Sequence, residues 1–82
     1  MSDWGDYERY SMILEWDPED RIYVVTIPEL PGCQTHGATL EEAVRQGRDA
    51  LERWVDVARD LGRFVPAPRH FVLEPIPELA SV

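Results

Sequence analysis

Apolar and polar residues alternate near the start of this chain and then recur at helical spacing across its middle. Tyr10, Met12, Leu14 and Trp16 fall on one side of a period-two pattern, which predicts a strand over residues 10–16 with those four on one face. Asp17-Pro18-Glu19-Asp20 is turn chemistry, and residues 22–27 are rich in β-branched side chains, so the two runs predict an antiparallel hairpin. The second strand is apolar on both faces. Either one face packs on a helix and the other meets a partner, or the chain hides that face itself.

Pro28 and Pro31 lack amide donors and fix φ, and Gly32 permits a sharp reversal, so the second strand ends at Pro28. A short extended piece, 33–37, leads into Thr39-Leu40-Glu41-Glu42, where Thr39 can cap a helix and Glu42 can reach back to the Thr39 amide. From there Leu40, Ala43, Val44, Gly47, Leu51, Trp54, Ala58 and Leu61 keep a three-four spacing. Gly47 and Ala50 are small where such a helix would approach a sheet most closely. Gly62 suits the position just past the helix, and Arg59 and Arg63 suit its negative end.

A helix over 40–61 is about 33 Å long and a seven-residue strand roughly 23 Å, so the helix is expected to overhang the sheet. At the overhang Trp54, Val55, Val57 and Leu61 form a candidate self-association surface, unless residues 64–68 and the tail fold back over it. Residues 71–73 are expected to add a short fourth strand, confined to an edge by Pro75 and Pro77. The expected organisation is a leader at 1–9, one α+β domain at 10–75 and a tail at 76–82. In that domain a three- to four-stranded antiparallel sheet carries one long helix on a single face.

Composition narrows the function. A chain of 82 residues buries only about 60% of its unfolded surface, so self-association would add stability, and a homodimer or higher oligomer is expected. Eight arginines against 16 acids give a net charge of −8, which opposes direct nucleic-acid binding and favours a basic protein partner. The acid is concentrated toward the start, in Asp3, Asp6, Glu8, Glu15, Asp17, Glu19 and Asp20. No apolar run approaches a membrane span, no signal peptide is legible, and a single Cys forms no internal disulfide; a cytoplasmic location is expected.

The ordered run Pro28, Leu30, Pro31, Gly32, Cys33, Thr35, Gly37, Thr39, Glu42 and Ala43, preceded by the two strands and followed by Leu51, Trp54, Pro66 and Pro68, resembles the HicB-type antitoxins of bacterial toxin–antitoxin modules. The resemblance covers residues 10–68. Within it Pro28, Pro31, Gly32, Cys33, Gly37, Thr39 and Glu42 read as structural positions of the motif. It implies a β-β-β-α-β arrangement similar to part of the RNase H fold. It also implies an antitoxin that binds a small basic HicA-like mRNA-cleaving toxin, with Glu15, Asp17, Glu19 and Asp20 as the candidate toxin-facing hairpin. Full-length members usually carry a C-terminal DNA-binding domain, and only about a dozen residues follow Pro68, so a solitary domain is expected. The alternative is an oligomeric binding or regulatory domain with no toxin partner.

Catalytic chemistry is sparse. Cys33-x-x-His36 has the spacing of two metal ligands, but no second pair follows, and a structural zinc site needs four. Cys33 is expected to pack as a small hydrophobe, and catalysis with His36 as its activating neighbour is not expected, since residues three apart on an extended segment point to opposite faces. Carboxylates on a turn are poor ligands for a two-metal nuclease site, which needs fixed groups. No phosphate-cradling loop or nucleophile–base spacing is present, so no enzyme activity, catalytic residue, metal or cofactor is expected.

Overall fold

In the computed structural model, which describes residues 9–72, three antiparallel strands lie in the order β1-β2-β3 with one long helix across one face. The elements are β1 (Ile13–Asp17), β2 (Ile22–Thr26), β3 (Gln34–Gly37) and α1 (Leu40–Asp60). This is the expected α+β class. Phe71 and Val72 lie in no strand; the rest of the expected fourth strand lies outside the described residues, as do leader residues 1–8 and the tail.

The first strand begins at Ile13 rather than Tyr10, and Pro28 supplies the reason. Ile13 pairs with Thr26, so continuing the ladder would set Ser11 opposite Pro28, which has no amide to give. The Ser11 amide turns instead to the Glu29 carboxylate, 3.0 Å from Oε2. Beyond Thr26 the chain makes two successive turns, closed by Leu30 N–H to Ile27 O at 3.1 Å and Cys33 N–H to Leu30 O at 3.0 Å. In the second, Pro31 fixes the first central position and Gly32 takes φ +75°, the combination a type II turn demands. The Ile27 amide then bonds Cys33 O at 3.0 Å, and β3 returns along β2 with Gln34 opposite Thr26.

Helix α1 starts as its sequence requires, with a one-residue difference. Thr39 Oγ1 accepts from the Glu42 amide at 3.1 Å, while the Glu42 carboxylate takes the amide of Ala38 rather than that of Thr39. The far end is a Schellman motif: Gly62, at φ +67°, donates to Arg59 O at 3.1 Å and Arg63 donates to Ala58 O at 2.8 Å.

The buried stripe of α1 is Ala43, Gly47, Leu51, Val55 and Ala58. Leu40, Val44 and Leu61, which the apolar spacing put on the packed face, are exposed. The stripe packs over β2 and β3, and with Val25, Ile27, Leu30 and Cys33 it forms one core, flanked by Met12, Leu14, Tyr23 and Trp54. Two glycines permit the close approach. A Cβ on Gly37 would fall 2.4 Å from the Ala43 backbone nitrogen, and one on Gly47 would meet Met12 Sδ at 3.0 Å.

Candidate functional site

The strand register sorts the acidic and apolar side chains onto separate surfaces. Leu14, Tyr23, Val25 and Gly37 face the helix, so their alternates Ile13, Glu15, Ile22, Val24, Gln34 and His36 share the opposite face of the sheet. Among the described residues no element covers that face, and Ile13 on it is 44% exposed. Tyr10 and Met12 continue the helix-side face inward, whereas Trp16 reaches its outer rim. There it stands 50% exposed, edge-on to Tyr23 with ring centroids 5.0 Å apart.

The β1–β2 hairpin gathers three of the four candidate acidic residues at its tip. Asp17 shapes the turn: its Oδ1 accepts the amides of Glu19 at 3.0 Å and Asp20 at 3.3 Å, and its carbonyl accepts from Arg21 at 2.7 Å. Arg21 closes the turn at φ +57°. Glu19 and Asp20 are exposed on this hydrogen-bonded tip, while Glu15 belongs to the bare sheet face opposite Val24. The four are therefore not one cluster, and Glu19 and Asp20 form its outward charge.

The candidate self-association residues also divide. Val55 is fully buried in the core and offers no surface, because its one-turn spacing from Leu51 sets it on the packed stripe. Trp54, Val57 and Leu61 line a groove of about 640 Å³ between residues 31–34 and the last turns of α1, with Arg53, Arg63 and Phe64 along it. Trp54 is pinned there by its indole N–H, which donates to Pro31 O at 3.0 Å. The segment after the helix folds back only in part. Val65 packs on the core and Pro66 O accepts from the Tyr10 hydroxyl, but Phe64 stays 82% exposed.

Glu29 is the residue that sequence reasoning passed over. Only 8% exposed, its carboxylate accepts from the Ser11 amide, the Ser11 hydroxyl at 3.0 Å and the Arg69 amide at 2.9 Å. Burial alone would push its pKa up, but the Arg69, Ser11 and Glu29 amides and the Ser11 hydroxyl together hold it below the ordinary value. The available signal was an acid set between Ile27 and Leu30, both of which are buried. Cys33 is buried too, and burial pushes its thiol up, away from the nucleophilic thiolate. His36 is exposed on the opposite side of the sheet, so the two do not meet. Among the described residues no three His, Cys, Asp or Glu side chains converge to hold a metal ion, and no helix is long and apolar enough to cross a membrane.

Comparison with known proteins matches residues 10–76 to the family described as HicB_like antitoxin of bacterial toxin-antitoxin system. The chain is similar to a UPF0150 protein of Archaeoglobus fulgidus, 34% identical over 59 residues that cover 70% of this chain and 84% of the relative. A UPF0150 protein of Thermotoga maritima is 39% identical over 51 residues, 62% of this chain and 68% of the relative. UPF0150 protein Ta0767 of Thermoplasma acidophilum is 34% identical over 58 residues, 71% of this chain and 83% of the relative.

Proposed function

The chain belongs to the HicB-like antitoxin family of bacterial toxin–antitoxin systems, and on that premise we propose that it neutralises a small basic, HicA-type mRNA-cleaving toxin by binding it as a protein. The observation that carries the reading is the acidic hairpin tip, where the Asp17 carboxylate holds the turn through the Glu19 and Asp20 amides and the Glu19 and Asp20 side chains are exposed. An RNA-cleaving enzyme must present cations to phosphate, and those cations are what an acidic tip attracts. Exposed charges of this kind steer encounter, while apolar contact beside them holds the complex. Trp16, half exposed at the same end of the sheet, is suited to that second part.

The same reading makes the domain non-catalytic: it acts by occupying a partner's surface. It also includes self-association through the bare sheet face, where Ile13, Ile22 and Val24 form the apolar strip that a second copy would cover. That face is what favours the second reading, an oligomeric binding domain without a toxin. Co-expression separates the two. A toxin from a short basic reading frame beside the gene should arrest growth alone and be rescued by this chain in a complex that co-purifies. Absence of both rescue and complex would leave the oligomeric domain as the better account.

A further inference from the structure

We propose that the groove beside the end of α1 binds an extended segment of another protein that is apolar and carries carboxylates. The chain holds 16 acids against eight arginines, yet the walls of this groove contain two of those arginines and no acid. Neither the Arg53 nor the Arg63 guanidinium has an ion-pair or hydrogen-bond partner among the described residues. In a molecule of this charge, two guanidinium groups with no partner among the described residues along one apolar cleft select for an anionic occupant. Each fork can take a carboxylate through paired N–H donors.

The cleft is built rather than incidental. One wall is the turn through Pro31 and Gly32, tied to the helix by the Trp54 indole; the other is the helix end, locked by the Schellman bonds. Those bonds also engage the carbonyls of Ala58 and Arg59, which would otherwise repel an anion. The lining is largely apolar and includes Trp54 and the exposed Leu61 and Phe64. Its volume of about 640 Å³ lies within the usual range for binding clefts, roughly 300–1,000 Å³. Its open side suits a strand-like segment better than an enclosed small molecule.

Charge also disfavours a second copy set groove to groove, which would bring four arginines together, and a basic partner, which the pair would repel. The acidic hairpin lies near the N-terminal end of α1, where Trp16 and Tyr23 line a shallow pocket with Leu40, whereas the groove lies at the other end. The proposal therefore stands apart from the toxin reading and fails or succeeds separately.

The test is an amide NMR titration of the whole chain with a short synthetic peptide alternating Glu with Leu and Phe, and with the same peptide carrying Lys for Glu. The Glu peptide should bind and shift amides of Gly32, Cys33 and residues 53–64, and the Lys peptide should bind at least about tenfold more weakly. Arg53→Glu with Arg63→Glu should keep the folded amide spectrum and invert that preference. Equal binding of both peptides, no shift up to millimolar peptide, or shifts confined to the hairpin or the bare sheet face would each overturn the proposal. If the double variant does not fold, the Glu-versus-Lys comparison on the unaltered protein decides.

Discussion

At the residue scale, Glu29 ties together three parts of the chain that sequence separates widely. Its carboxylate joins the turn after β2 to Ser11, 18 positions earlier, and to Arg69, 40 positions later. Hydrogen bonds to a charged group contribute about 1.5–3 kcal/mol, so Glu29→Ala should destabilise the fold by about 2 kcal/mol or more in urea unfolding. The pH dependence has a definite sign. Because the folded pKa lies below the ordinary 4.5, the stability Glu29 contributes is complete above that value and is lost as pH falls through the folded one. The urea midpoint should therefore fall more between neutral and acid solution in the unaltered protein than in Glu29→Gln; equal falls would contradict the role. This residue was not legible beforehand because a sequence shows an acid among prolines as turn chemistry, and its partners exist only after the chain has folded. Cys33 was legible, since a lone cysteine next to a tight turn packs by size.

At the scale of elements, the helix and its caps could be read almost completely, because capping and propensity act within a few residues. Thr39→Ala should cost about 1 kcal/mol in thermal or urea unfolding, and Gly37→Ala distinctly more, since its Cβ would meet the Ala43 backbone at 2.4 Å. Which side of α1 faces the sheet was less legible. Leu40, Val44 and Leu61 kept the apolar spacing yet stand exposed, because Leu40 and Leu61 lie at the two ends of the helix and Val44 at the edge of the buried stripe beside Ala43. Val55 is the reverse case, read as surface and found in the core. The pair gives a direct comparison: Val57→Asp should change stability by no more than about 0.5 kcal/mol, whereas Val55→Asp should abolish the cooperative transition. A similar penalty for both would mean that Val57 is covered. The start of β1 went unread because the ladder is stopped by Pro28 on the neighbouring strand, not by any residue of its own.

At the scale of the molecule, the acidic hairpin tip and the arginine-lined groove lie toward opposite ends of α1, and the sheet face turned away from the helix carries Ile13, Ile22 and Val24 among Glu15, Gln34 and His36. A chain this small with Ile13 and Val24 on a face that no described element covers should be a dimer or larger at micromolar concentration by light scattering. Val24→Asp, beside Glu15 on that face, should shift it to monomer, while Val57→Asp should leave the mass unchanged; a monomer from the outset would remove the sheet-face interface. Family and fold were legible because the proline–glycine turns and the helix cap form a dense local signature. The separation of Glu15 from the hairpin tip was not, since it follows from strand register. The most direct measurement of the central claim is the association rate with the cognate basic toxin as a function of salt, for this chain and for Glu19→Lys with Asp20→Lys. The account expects fast association that weakens steeply with salt, and a double variant that folds normally but associates more than about tenfold more slowly with a flattened salt dependence. An unchanged rate and salt dependence in the double variant would contradict the acidic hairpin as the toxin-facing surface.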